Sequence, residues 1–311
     1  MNFSKTVILL FFIIAIYSCS SNDDSNNNSG TPEPTTIQVG HTVVNFNDAN
    51  RDRTIETHIY YPAQNSGTDV EVLTGEYPVL VFGHGFLMEW NAYQSLWETL
   101  VGEGYIVCFP NTETGFTPSH QDFALDLNQV AIQMQSENDN TNSIFNNRII
   151  AKTAMLGHSM GGGSALLAAQ NNTEIDAVIT LAAAETNPSA IAASIQIEVP
   201  VLMLLGENDC VAPAAEHQLP MYENLNSNCK VYAEIAEGTH CNFADANSNC
   251  DLGEIFCASE TSITKDAQIE TTLNLMKSWL SYTLKDNVEA FTELESQLQD
   301  ASISTQIVVC D

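Results

Sequence analysis

The chain has 311 residues, of which 9 are lysine or arginine and 39 are aspartate or glutamate, giving a formal charge of −30. So acidic a surface repels nucleic-acid phosphates and anionic lipid headgroups, which excludes both as binding partners and disfavours strongly anionic substrates. The 44% hydrophobic content is ordinary for a globular protein and supplies the core of one large α/β domain.

Residues 1–19 read as an address. Lys5 supplies a positive n-region, and Val7 to Ile16 is an apolar stretch too short to span a bilayer. Ile16-Tyr17-Ser18-Cys19 resembles a bacterial lipoprotein cleavage box with Cys19 as the lipidated residue, although Tyr17 is bulky for its place. Residues 20–36 contain only Ser, Asn, Asp, Thr, Gly, Pro and one Glu, a composition that predicts a disordered tether. The expectation is an exported protein, on the outer membrane or cell surface through its lipid or else secreted. Its membrane contact is through that anchor alone, and it is a monomer. An ordinary secretory peptide with a spare cysteine is the alternative.

Residues 37–311 form the folded domain. Apolar runs predict strands over 41–46 and 54–61, paired antiparallel, and over 78–83. The last runs into Gly83-His84-Gly85-Phe86, where glycines let a backbone N–H approach a site closely. A helix over 90–103, a strand over 105–110 and a helix over 121–136 follow. The strand over 152–157 leads into Gly157-His158-Ser159-Met160-Gly161 and a small-residue helix over 160–171. Strand, G-x-S-x-G and helix are the setting of a nucleophile elbow, which pushes a serine hydroxyl out at the top of a sheet.

Strands over 175–181 and 199–205 come next, the second ending in Gly206-Glu207-Asn208-Asp209. Asp209 falls just past the strand's carboxyl end, the face on which open α/β sheets bind ligands, with Glu207 as its rival. A helix over 214–225 and a strand over 230–236 precede Glu237-Gly238-Thr239-His240. Seven histidines are present. His41 and His58 read as half-exposed structural residues, His120 and His217 have no motif around them, His84 stabilises its turn, and His158 fills the elbow. His240 alone sits on a glycine-containing loop after a late strand, where a base is expected. A serine hydroxyl needs such a base, and the base an orienting acid. The chain order Ser159, Asp209, His240 is the one this arrangement uses. The N–H groups of Phe86 and Met160 are the candidate oxyanion donors. Helices over 264–284 and 287–298 and an extension ending near Cys310 complete the chain.

These motifs resemble the α/β-hydrolase superfamily. The match is sharpest to its dienelactone-hydrolase-related branch of cutinase-like polyester hydrolases, chlorophyllases and platelet-activating-factor acetylhydrolases, and it runs over residues 40–285. The resemblance implies an α/β-hydrolase fold, and the alternation of predicted strands and helices gives an eight-stranded mostly parallel sheet with helices on both faces and no large cap domain. It implies Ser159 as nucleophile, Asp209 as acid, His240 as base, Phe86 and Met160 as oxyanion donors, and no cofactor. The activity implied is a serine carboxylic-ester hydrolase acting through an acyl-enzyme on short-to-medium acyl esters. Polyesters follow, including poly(ethylene terephthalate) weakly. A catalytically silent binding protein, an acyltransferase or a peptidase are the alternatives. One departure concerns Ala183-Ala184-Glu185, where polyester hydrolases place an aromatic platform. The short link between residues 181 and 199 leaves no room for a cap and predicts an open surface groove.

Apart from Cys19 there are seven cysteines. Cys108 lies in an apolar strand and reads as a buried free thiol. Cys241, Cys250 and Cys257 cluster after His240, where a bond among them would pin its loop; Cys210 is an alternative partner for Cys241 or Cys229. Cys310 completes the set, and no zinc motif is present. Asp245, Asn247, Asn249 and Asp251 alternate like the start of a calcium loop. However, Cys250 stands where the loop needs glycine and Phe256 where it needs glutamate, so no metal is expected.

Overall fold

Tyr77–Gly83 is buried at every position, a pattern that fits only a strand covered on both faces. The computed structural model describes residues 36–255, 257 and 263–310; the expected leader, Cys19 and residues 20–35 of the tether lie outside them. The strands are β1 (Gln38–Asp48), β2 (Arg53–Ala63), β3 (Gly67–Thr68), β4 (Tyr77–Gly83), β5 (Ile106–Pro110), β6 (Ile149–His158), β7 (Ala177–Leu181), β8 (Val201–Gly206), β9 (Cys229–Ile235) and β10 (Ile303–Cys310). The helices are α1 (Gln94–Gly102), α2 (His120–Ser136), α3 (Met160–Ala169), α4 (Ala190–Ser194), α5 (Gln218–Asn224), α6 (Ser248–Glu254), α7 (Lys265–Lys285) and α8 (Val288–Gln297).

Among the described residues, one sheet holds the ten strands in the order β10-β9-β8-β7-β6-β4-β5-β2-β1-β3. Its centre, β5-β4-β6-β7-β8-β9, is parallel. The β1–β2, β2–β5 and β9–β10 pairs are antiparallel. All eight expected strands are present. Two more join them: the two-residue β3 at one edge, and β10, formed by the carboxyl-terminal extension. β10 pairs with β9 and is bonded to it through Cys229–Cys310. Side chains of α2, α3, α4 and α5 pack on one face and those of α1, α7 and α8 on the other. α5 begins at Gln218, later than expected, because residues 214–217 form a turn after Pro213.

A charge cluster joins the β1–β2 hairpin to α2. The fully buried Asp126 carboxylate accepts from Arg51 Nη2 at 2.6 Å, Arg53 Nη2 at 2.6 Å and the Thr112 hydroxyl at 2.6 Å. Glu113 accepts from Arg53 Nη2 at 2.7 Å. Burial opposes the charge on Arg53, but its bonds to Asp126 and Glu113 outweigh that and hold it above the ordinary arginine range. Thr112 in turn offers its carbonyl to His84 Nε2 at 2.8 Å, so the cluster reaches the turn after β4. Asp126→Asn leaves two half-buried guanidinium groups without their shared anion. We expect a loss of about 2–4 kcal/mol, or about 4–16 °C in Tm for a domain of this size, measured by thermal unfolding.

Candidate active site

β6 ends at His158, and the next residue, Ser159, is the turn into α3. Its backbone is at φ 54° and ψ −120°, a left-handed conformation that costs a non-glycine residue about 1–3 kcal/mol and marks functional turns. Main-chain bonds hold it there: Ser159 N–H donates to the Leu181 carbonyl at 2.9 Å, and its own carbonyl accepts from Ala184 N–H at 3.0 Å. The two glycines of the motif are steric necessities. A Cβ on Gly157 would collide with the Gly161 carbonyl, and one on Gly161 with the Gly83 carbonyl.

The three residues singled out in the sequence meet at this turn. His240 Nε2 lies 2.9 Å from Ser159 Oγ, and His240 Nδ1–H donates to Asp209 Oδ2 at 2.8 Å. The other Asp209 oxygen accepts from Val211 N–H at 2.9 Å and Ala212 N–H at 2.8 Å, so the carboxylate is fixed at both ends. All three residues are buried. Glu207, the rival acid, is exposed and accepts from Glu237 N–H at 2.9 Å, away from the His240 ring. The acid and base loops pack main chain on main chain: a Cβ on Gly206 would lie 2.5 Å from Gly238, and Asn208 N–H donates to the Gly238 carbonyl at 2.8 Å. A Cβ on Gly238 would itself lie 2.9 Å from the Ile235 carbonyl and 3.0 Å from Gly206 Cα, the physical reason for glycine two residues before His240. Buried Gln268 of α7 clamps the same loop, accepting from Thr239 N–H at 2.9 Å and donating to its carbonyl at 2.8 Å. Nothing in the helical pattern of α7 marks that glutamine.

Met160 opens α3, so its N–H has no intrahelical partner. Neither that N–H nor the one of Phe86 donates to another group among the described residues. Phe86 and Ser159 line the same cleft, of about 80 Å³. Apart from His158, which lines the cleft beside Ser159, the other histidines stand away from it. His41 and His58 face each other across 3.2 Å on β1 and β2, and burial lowers both below the ordinary histidine value. His120 accepts from Asn187 N–H and His217 from Glu185 N–H. His84 points its two nitrogens at the Gly85 and Thr112 carbonyls, each 2.8 Å away; burial lowers its pKa, while these carbonyls pull the other way.

The cleft is narrower than the missing cap implies. α6, a short helix with no buried residue and no periodic signal, forms one wall and contributes Asn249, Cys250 and Gly253. It is tied on several sides: Asn249 Nδ2 donates to the Leu87 carbonyl at 2.7 Å, Cys250 is bonded to Cys241, and Glu254 accepts from Cys241 N–H at 2.8 Å. Just beyond α6, Cys257 is bonded to Cys210 beside Asp209. Of the pairings left open, Cys241–Cys250 is realised, and Cys210 joins neither Cys241 nor Cys229. Cys108 is a buried free thiol. Three disulfides fit an oxidising, extracellular compartment. Phe86, Val211, Leu252 and Ile255 are exposed apolar residues of the cleft and of its α6 wall.

The alternating acidic and amide residues after the base loop turn to separate tasks. Asp245 accepts from Ser95, Asn247 caps α6, and Asp251 faces Lys265 at 3.9 Å; Phe256 lies outside the described residues. Among the described residues, no three His, Cys, Asp or Glu side chains gather as for a metal ion.

The family described as "PETase: PET hydrolase-like" matches residues 24–263. Cutinase est1 of Thermobifida alba is 28% identical over 196 residues, 63% of this chain and 60% of the relative. Cutinase 2 of Thermobifida cellulosilytica is 27% identical over 183 residues, 58% of this chain and 64% of the relative. A bis(hydroxyethyl) terephthalate hydrolase of Streptomyces coelicolor is 27% identical over 201 residues, 63% of this chain and 58% of the relative. The chain thus spans about three-fifths of the length of these curated relatives. With the family match covering well over half of its residues and the sheet order of an α/β hydrolase beneath it, the chain belongs to the PET hydrolase-like family.

Proposed function

We propose that this chain is a serine carboxylic-ester hydrolase, acting as a monomer on short-to-medium acyl esters and on aliphatic polyester chains. The observation that carries this reading is the buried relay from Ser159 Oγ through His240 to Asp209, with contacts of 2.9 and 2.8 Å. Ser159 Oγ attacks the ester carbonyl carbon as its proton passes to His240 Nε2. The carbonyl electron pair moves onto oxygen, where the N–H groups of Phe86 and Met160 receive the negative charge. Collapse expels the alcohol, which takes the proton from Nε2 and leaves the acyl group on Oγ. A water then gives its proton to Nε2 and attacks the acyl carbon, and Ser159 is reprotonated as the acid departs. Throughout, Asp209 accepts from Nδ1–H, fixing the tautomer and balancing the imidazolium. No step calls for a cofactor. Hydrolysis of a para-nitrophenyl ester series by the purified protein tests the reading, and absence of turnover on every chain length would overturn it.

The cutinase and bis(hydroxyethyl) terephthalate hydrolase relatives support a polyester or its fragments as substrate. Ala184 borders the elbow through its N–H bond to Ser159, yet offers no ring on which an aromatic diacid could stack. An aromatic pair contributes about 0.5–1.5 kcal/mol beyond its area, so its absence lowers aromatic-polyester turnover about two- to twelvefold. Ala184→Trp is therefore expected to raise release of terephthalate products by up to that factor and to leave aliphatic esters little changed. Product release from both polymer classes, measured side by side, checks it.

The protein is also proposed to be exported and anchored through a lipid on Cys19. The three disulfides support export, and the residues before Cys19 support the anchor. Cys19→Ser is expected to move the protein from the membrane fraction to the soluble one, as an immunoblot of the two fractions would read.

A further inference from the structure

At the inner wall of the cleft, which His158 lines, buried polar groups form one directed chain. Gly85 N–H donates to the Tyr93 hydroxyl at 2.9 Å, the hydroxyl lies 3.0 Å from His158 Nδ1, and His158 Nε2 lies 3.0 Å from the main-chain carbonyl of His240. Chemistry fixes the direction of every link. The His240 carbonyl can only accept, so Nε2 carries the ring proton. Burial first, then the neighbouring His240 and Lys265, hold His158 well below the ordinary histidine value, so the ring is neutral and Nδ1 is a lone pair. The Tyr93 hydroxyl therefore donates to Nδ1, a far stronger acceptor than the Met88 thioether 3.4 Å away, and is left to accept from Gly85. Tyr93 and His158 are both buried. Gly85 rests directly on the pair: a Cβ there would lie 2.7 Å from Met88 Sδ, 3.1 Å from His158 Nδ1 and 3.4 Å from the Tyr93 hydroxyl.

The two ends of this chain belong to strands that do not touch. The Gly85 turn follows β4 and the His240 loop follows β9, with β6, β7 and β8 between them. Sheet hydrogen bonds thus set the spacing of the two loops only through three intervening strands. We propose that Tyr93 and His158 are positioning residues for the ester hydrolysis inferred above: they lock the turn carrying the Phe86 N–H to the loop carrying His240. The proposal rests on the serine-esterase reading. Misplacement of a reacting group by about 1 Å can cost about 10²-fold in rate, so such a lock acts on kcat.

The test uses the full-length protein and its Tyr93→Phe, His158→Leu and His158→Gln variants. Each is titrated with a fluorophosphonate to count reactive Ser159, then assayed for kcat and KM on para-nitrophenyl butyrate and melted. Tyr93→Phe should lower kcat per titrated site about three- to tenfold, the worth of one neutral hydrogen bond, with KM within about twofold of wild type. His158→Leu should lower it about 10- to 100-fold. His158→Gln, whose amide can still donate to the His240 carbonyl, should recover part of that loss. If Tyr93→Phe and His158→Leu melt lower but keep wild-type kcat per titrated site, the pair is merely structural and the proposal falls. A raised KM with unchanged kcat would assign it to substrate binding and overturn the proposal as well, as would a glutamine variant no better than leucine. A wild type that neither hydrolyses the ester nor reacts with the fluorophosphonate overturns the esterase reading itself, and the proposal with it.

Discussion

Ser159→Ala is expected to lower kcat on a para-nitrophenyl ester by about 10⁵- to 10⁶-fold, because a nucleophile and its base act as a unit and the loss of one removes the contribution of both. The fold should survive. Alanine keeps the Cβ and thus the same strained backbone at φ 54°, and the Ser159 N–H and carbonyl bonds that hold the elbow are main-chain bonds. Only the 2.9 Å contact to His240 Nε2 is lost. Tm should therefore stay within about 4 °C of wild type. Stopped assays at high enzyme concentration, with the melting curve recorded on the same sample, check both halves. A variant with more than a tenth of the wild-type rate would remove Ser159 from the chemistry.

The second large effect is at the acid. Asp209→Asn should lower turnover about 10⁴-fold. The amide oxygen can still accept from Val211 and Ala212, so the loop keeps its shape. The amide nitrogen then faces His240 Nδ1, and two donors cannot share that 2.8 Å contact. The ring is driven to the tautomer that carries its proton on Nε2, where it can no longer accept one from Ser159. Glu207→Gln should stay within about threefold of wild type, since an exposed surface carboxylate contributes little. Initial rates of the two variants compared on one ester decide between the carboxylates, and the reverse ranking would move the acid to Glu207.

What could be seen in the sequence was whatever carries its signal locally. The elbow announces itself because strand, motif and helix are contiguous and Gly157 is demanded by Gly161 four residues on, although Gly161 answers to the distant Gly83. Asp209 and His240 could be placed because each follows an apolar strand on a short turn, and parallel strands deliver such turns to one edge. The resemblance to polyester hydrolases then agreed with the family found by comparison. The features that escaped depend on partners distant in the chain. β10 has no buried side chain and becomes a strand only against β9 and through Cys310. α6 buries nothing, so no periodicity marks it, and its place over the cleft is set by Cys241, Cys210 and Leu87. Gln268 lies in α7 and Tyr93 in the 3-10 turn Trp90–Tyr93 before α1, elements whose pattern predicts only packing; their polar ends matter because of loops far away in sequence. The cysteine pairs were open for the same reason. Spacing bounds which bonds are possible, but only the folded sheet selects among them.

Cys108 gives the protein a built-in clock. It sits opposite Ile59 of β2 on one side and Val81 of β4 on the other, fully buried, with its thiol pushed far above the ordinary cysteine value by burial. A thiol in that place cannot reshuffle the three disulfides while the sheet is intact, because only an exposed thiolate exchanges. In the Cys19→Ser protein it is the one cysteine outside a disulfide. The rate at which a maleimide dye marks that protein then counts how often the middle of the sheet parts, molecule by molecule, long before any bulk signal of denaturation.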